Sequence, residues 1–185
     1  RDGCGDPVLT YNHPHVRKTY PVATTAESDQ FNANKLGLQW EWHANPQDWL
    51  HFTHQANGCL RLYSVPTVEN YKRLWDVPNL LLQKTPAPDF TATMKLTFKP
   101  DPRFTGERTG LVVMGLDYAL LSFENTGNGF TLSQVECLKA DKGGTEKVNA
   151  SVQLKDATVY LRVKVNSDAT CTFSYSTDDK KYTSL

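Results

Sequence analysis

Along residues 90–98 the chain alternates almost without fault. Phe90, Ala92, Met94, Leu96 and Phe98 fall on one side, and Thr91, Thr93, Lys95 and Thr97 on the other. Successive side chains point to opposite faces of a β-strand, so this period of two gathers the apolar set on one face. A helix would scatter the same set around its circumference. The segment therefore reads as a half-buried strand, with core on one side and water on the other. Val159, Leu161, Val163 and Val165 repeat the pattern against Tyr160, Arg162 and Lys164, and Cys171, Phe173 and Tyr175 repeat it against Thr172, Ser174 and Ser176.

Turn signals separate these runs: Ala56-Asn57-Gly58, Asp101-Pro102, Thr126-Gly127-Asn128-Gly129, Lys142-Gly143-Gly144, Asn166-Ser167-Asp168 and Asp178-Asp179. Asn, Asp and Gly supply the positive-φ positions that tight hairpins need. No segment carries a sustained 3.6-residue period with caps. From about residue 48 onward the pattern predicts an all-β fold, a two-sheet antiparallel β-sandwich of the jelly-roll kind. Phe90, Met94, Leu96, Phe98, Leu161, Val163 and Phe173 are the predicted core.

The tryptophans need a separate account. Leu36-Gly37-Leu38-Gln39-Trp40-Glu41-Trp42-His43-Ala44-Asn45-Pro46 places two of them on one face of an extended segment, and Trp49 follows the Asn45-Pro46 turn. Such a cluster either fills a core or offers a flat platform to a sugar ring. For Trp40 and Trp42 the core is the expected place, with at least one ring buried.

At 185 residues the chain has room for one domain and a short appendage. Residues 1–25, with Pro7, Pro14 and Pro21, read as an extended connector. Lys plus Arg number 20 and Asp plus Glu number 20, with no basic stripe. That balance argues against nucleic acid and against an anionic membrane as partners. No apolar run has the length of a membrane-spanning helix. Cys4, Cys59, Cys137 and Cys171 form no Cys-x-x-Cys pair, which leaves a zinc ribbon or a redox motif unsupported. Cys59, Cys137 and Cys171 sit in apolar runs and are expected to be buried free thiols.

A search for chemistry finds little that converges. His51 and His54 would face opposite sides of a strand, and His13 and His15 share a face but lie in the connector. The acids are scattered, mostly in turns, where Asp is expected for local backbone bonding. No Gly-x-Ser-x-Gly elbow, phosphate loop or dinucleotide fingerprint is present. The best calcium candidates are Glu27 and Asp29 in Glu27-Ser28-Asp29, ahead of Asp141 and Asp178-Asp179. A structural calcium there is an expectation, and no other cofactor is expected. Asn149-Ala150-Ser151 fits a glycosylation sequon.

Several stretches, in order, carry a resemblance. They are Ser28-Asp29-Gln30-Phe31, Leu36-Gly37-Leu38-Gln39-Trp40-Glu41-Trp42 and Asn45-Pro46, then Gly58-Cys59-Leu60-Arg61-Leu62 and residues 74–84. Gly106-Glu107-Arg108-Thr109-Gly110-Leu111, Asp117-Tyr118, Phe173-Ser174-Tyr175-Ser176-Thr177-Asp178 and Tyr182 complete the series. Together they resemble the C-terminal sandwich of glycoside hydrolase family 43, the β-xylosidase and α-L-arabinofuranosidase type.

The resemblance implies a concanavalin A-like sandwich over residues 28–185. Residues 1–27 would then be the tail of an upstream five-bladed β-propeller plus a linker. The family's catalytic acids lie in that propeller, and no residue here matches them. Family members also continue past the position of Leu185, which implies that the last strand or strands are missing from this sandwich. The implied function is accessory: to buttress a catalytic propeller and shape its pocket in an enzyme acting on xylan or arabinan-type chains. An extracytoplasmic location, periplasmic or secreted, is expected. The alternative is a carbohydrate-binding module that contacts oligosaccharide through Trp49, Tyr71 or Trp75.

Overall fold

The computed structural model describes residues 10, 12, 18, 21, 24–33, 35–44, 53–55, 58–67 and 73–185, with 53–55 described by their backbone. Most of the expected connector, the Asn45-Pro46 turn, Trp49, Tyr71, His51 and Cys4 lie outside the described residues.

The strands in chain order are β1 (Trp40–Trp42), β2 (Thr53–Gln55), β3 (Cys59–Arg61), β4 (Leu81–Gln83), β5 (Phe90–Thr97) and β6 (Arg108–Val113). They continue with β7 (Tyr118–Asn125), β8 (Phe130–Cys137), β9 (Lys147–Leu154), β10 (Thr158–Val165), β11 (Cys171–Ser176) and β12 (Thr183–Ser184). Two four-stranded antiparallel sheets, ordered β12-β11-β10-β5 and β6-β7-β8-β9, make the two layers. β1 pairs with β4, and β2 with β3, as two-stranded pieces apart from those sheets.

The alternation sets the register. Leu161 lies opposite Met94 on β5 and Tyr175 on β11, while Val163 lies opposite Ala92 and Phe173. Their inner faces meet Leu121, Phe123 and Leu132 of the second sheet in one buried cluster. Phe123 and Phe130 stack with ring centroids 4.8 Å apart, and Phe98 lies 6.1 and 6.0 Å from them. Leu161, Val163, Phe98 and Phe173 are buried as the pattern predicts, whereas Phe90, Met94 and Leu96 are half-buried at the margin of the same core. β5 is an edge strand, so its apolar face is covered from one flank only.

The hairpin turns use the residues the sequence offers. Gly127 and Gly129 adopt φ of 83° and 146° between β7 and β8, and Gly143 adopts 89° before β9. Gly110 answers a different need. A Cβ built there would meet the Leu121 carbonyl oxygen at 1.9 Å, so only glycine lets β6 lie this close to β7.

Three expectations are corrected. Trp40 and Trp42 do not plug the sandwich core: they lie on β1, paired with β4, and both are half-buried. Cys59 is exposed and Cys171 half-buried, leaving Cys137 as the buried thiol of the three. Cys59 opens β3, which pairs with β2, outside the two stacked sheets that bury Cys137.

β7 shows what alternation misses. It is buried along most of its length on both faces. Ala119, Leu121 and Phe123 face the main core, while Tyr118 and Leu120 join Val135, Cys137 and Ala140 in a second cluster on the opposite side of the sheet.

Candidate functional site

The second cluster is roofed by the 3-10 turn Leu74–Asp76, whose Leu74 and Trp75 pack on it together with Val112 and Met114. Trp75, one of the three candidate sugar-binding rings, therefore rests half-buried on an apolar floor. Its edge meets His43 at 5.6 Å between centroids, and the His43 Nε2 lies 3.2 Å from the Trp75 carbonyl oxygen. The same contact ties the roof to the end of β1, and His43 N donates to the Leu80 carbonyl, just ahead of β4, at 2.9 Å.

Beside this roof sits a closed polar circuit. Arg108, first residue of β6, donates from Nη1 and Nη2 to the two carboxylate oxygens of Glu146 at 2.8 and 3.0 Å. The Tyr118 hydroxyl donates to Glu146 Oε1 at 2.7 Å and accepts from the Leu74 backbone N–H at 2.8 Å. A two-pronged guanidinium–carboxylate pair is the strong, direction-fixing form of this interaction. Burial first, and then the Glu146 carboxylate, push the Tyr118 hydroxyl well above the ordinary tyrosine range.

Gly144 gives the chain the close turn ahead of Glu146, since a Cβ there would meet the Leu138 carbonyl oxygen at 1.9 Å. The circuit fastens the 73–76 turn, β6, β7 and the approach to β9 to one another. With both oxygens engaged, Glu146 acts as a structural latch and is poorly placed as a free acid or base.

A second polar node organises the start of the domain. Asp29 Oδ1 accepts from Phe31 N at 2.7 Å, and its Oδ2 accepts from Trp40 Nε1 at 2.9 Å and Gln39 Nε2 at 3.2 Å. The Phe31 ring lies against Trp40 at 5.5 Å. Asp29, a predicted calcium ligand, thus spends both oxygens on N–H donors. Glu27 is exposed, and its backbone carbonyl accepts from Gln83 Nε2 at 3.1 Å. Among the described residues no three His, Cys, Asp or Glu side chains gather as a metal site. Asp178 behaves as a turn carboxylate, accepting from Lys180 N and Lys181 N at 2.9 and 3.1 Å.

Next to the Asp29 node, Thr24, Glu27, Leu38, Gln39, Lys84 and Pro86 line an open cleft of about 390 Å³. Leu38, at the heart of the Leu36-Gly37-Leu38-Gln39-Trp40 stretch, is 96% exposed on its rim.

Sequence reasoning named Trp75, Glu27 and Asp29, which the structure divides between the roof and the Asp29 node. Trp49 and Tyr71 lie outside the described residues. It assigned no role to Arg108 or Tyr118, although both stand in the quoted stretches Glu107-Arg108 and Asp117-Tyr118. Glu146, 38 residues from Arg108, gave no signal at all.

Comparison with known proteins supplies the context. The family described as the β-xylosidase C-terminal concanavalin A-like domain matches residues 28–185. A β-xylosidase of Formosa agariphila is 28% identical over 195 residues, covering 98% of this chain and 32% of that protein. A solved GH43 glycoside hydrolase, engineered to display both endo-xylanase and exo-arabinofuranosidase activity, superposes with a TM-score of 0.72 at 23% identity. That match covers 92% of this chain and 35% of the other. A bifunctional GH43-CE protein of Bacteroides eggerthii gives a TM-score of 0.70 at 23% identity, over 85% of this chain and 20% of its own. The chain thus spans about a third of the length of the curated relative it matches.

Proposed function

The chain belongs to the family of β-xylosidase C-terminal concanavalin A-like domains, and we propose that it serves as the accessory sandwich of a glycoside hydrolase acting on xylan or arabinan-type chains. In this reading it buttresses a catalytic propeller of the same polypeptide and helps to shape its pocket. The observation that carries the reading is the placing of Trp75. A sugar platform needs a ring open to solvent on its flat side, and this ring is spent on the second cluster and on His43. Leu38 supports the same view. A lone exposed leucine is ordinary, but this one sits on a cleft lined by residues 24–27, where an upstream domain would join.

The test is Leu38→Asp, made both in this chain and in the full-length protein. The chain alone should unfold at an unchanged temperature, because the side chain touches little in it. The full-length protein should lose about 2–4 °C for each kcal/mol of docking contact removed. Equal melting of substituted and parent full-length proteins would contradict docking through this rim. Titration of xylo- or arabino-oligosaccharides, followed by tryptophan fluorescence, weighs the alternative. Saturable binding tighter than about 0.1 mM, abolished by Trp75→Ala, would replace the buttress with a binding module.

A further inference from the structure

The sheet ordered β12-β11-β10-β5 turns one face to the core and the other to solvent, and the outer face has an unusual make-up. Its rows follow from the register. Thr91 lies opposite Lys164, Thr93 opposite Arg162, Lys95 opposite Tyr160, and Thr97 opposite Thr158. On the other flank Thr172 lies opposite Lys164 and Ser174 opposite Arg162. The face thus carries three cations, small hydroxyl side chains and the Tyr160 ring, joined by Tyr182 from the turn before β12. No Leu, Ile, Met or Phe stands among these positions.

The cations and rings are already arranged. The Arg162 guanidinium lies 3.4 Å over the centre of the Tyr182 ring, and its Nε donates to Thr93 Oγ1 at 2.9 Å. Lys95 Nζ lies 5.6 Å from the centre of the Tyr160 ring. The Tyr182 hydroxyl is anchored on Asp179 Oδ1 at 2.5 Å. Among the described residues no carboxylate forms an ion pair with Lys95, Arg162 or Lys164. Asp178 and Asp179, in the turn before β12, share that turn with Lys180 and Lys181. Among the described residues, Lys95, Arg162 and Lys164 thus stand together on one hydroxyl-rich face without a carboxylate partner.

We propose that this outer face docks a uronate-bearing polysaccharide chain. Lys95, Arg162 and Lys164 meet the carboxylates, and the Thr and Ser hydroxyls exchange hydrogen bonds with sugar hydroxyls. Groups pre-set by cation–π contacts lose less freedom on binding, which favours a weak but selective extended contact. The inference rests on the carbohydrate setting proposed above, yet it uses a different sheet from the Leu38 rim and from Trp75.

The experiment is affinity electrophoresis and calorimetry of the chain against uronate-bearing xylan and the same polymer with its carboxyls reduced to alcohols. Single-stranded DNA serves as an unrelated polyanion. Lys95→Gln with Lys164→Gln removes two exposed charges without touching the core, and circular dichroism confirms that it folds. The parent chain should bind the acidic polymer, weaken as salt rises, and lose about tenfold in affinity when the polymer is reduced or both lysines are replaced. The acidic polymer should also shield Lys95 and Lys164 from acetylation. The proposal is overturned by absent binding, by equal affinity for the reduced polymer, by an unaffected double variant, or by DNA binding as tight as that of the polymer. Any of these results leaves the buttress reading to stand or fall on Leu38→Asp.

Discussion

Asp29 shows how much a single half-buried carboxylate can organise. Its oxygens hold a backbone N–H, an indole N–H and an amide N–H, and so set the angle at which β1 leaves the chain. Asp29→Ala leaves those donors without their acceptor and should cost about 1–3 kcal/mol, read as a lower denaturation midpoint with a red-shifted tryptophan emission. Unchanged emission would mean that the indole is held by something else. Chelator separates this role from ion binding, since a melting temperature lowered by EDTA in the parent but not in Asp29→Ala would put a cation on the carboxylate instead.

Tyr118 predicts a pH effect. Its hydroxyl is held neutral in the fold, with its titration moved upward by burial and by Glu146. A group whose folded pKa is raised stabilises fully below its unfolded pKa and loses that contribution as pH rises towards the folded value. The unfolded value for tyrosine is about 10, so stability should fall above about pH 10. Tyr118→Phe should fall less steeply than the parent over the same range, measured by urea midpoints from pH 8 to 11. Parallel slopes would show that Tyr118 contributes nothing to the alkaline limb.

At the scale of elements, the two sheets are held by rings and branched side chains whose burial follows strand order. β10 lies between β5 and β11, while β5 is an edge and β11 has only the two-residue β12 on its far side. Burial is therefore complete at Leu161 and Val163 and partial at Met94 and Leu96. Phe98, just beyond β5, packs on Phe123 and Phe130, and Phe173 reaches the core from β11. Phe98→Ala and Phe173→Ala should each cost about 3–5 kcal/mol of unfolding free energy. Met94→Ala should cost less than either, because its site already opens towards the edge. Losses below about 1 kcal/mol at both phenylalanines would mean that the core is not where these strands place it.

For the whole molecule, the layers form a frame with two distinct outer surfaces. One, on the β6-β7-β8-β9 sheet, is roofed in part by Leu74 and Trp75 and fastened by Arg108, Tyr118 and Glu146. The other, on the β12-β11-β10-β5 sheet, is polar and cationic among the described residues. Glycoside hydrolysis needs a spaced pair of free acids, and Glu146 on the first surface is committed to Arg108 and Tyr118. The chain by itself is expected to release no measurable nitrophenol from aryl xylosides or arabinofuranosides above the blank rate. Turnover that disappears on replacing an acid within residues 28–185 would contradict this.

The alternation on β5, β10 and β11 and the Asn and Gly turns were legible in the chain because they are local. A strand's period of two and a glycine's positive φ depend on the backbone within a few residues. Those features were enough for the layers, the facing of the strands and most of the central core. The double-sided burial of β7, the inward resting place of Trp75 and the Asp29–Trp40 contact were decided only by the tertiary structure, as was the joining of Arg108 to Glu146. Each depends on which distant segment comes to lie across a face, and that is fixed by sheet order and packing: Arg108 and Glu146 stand 38 residues apart and meet only because the chain approaches β9 beside β6 and β7.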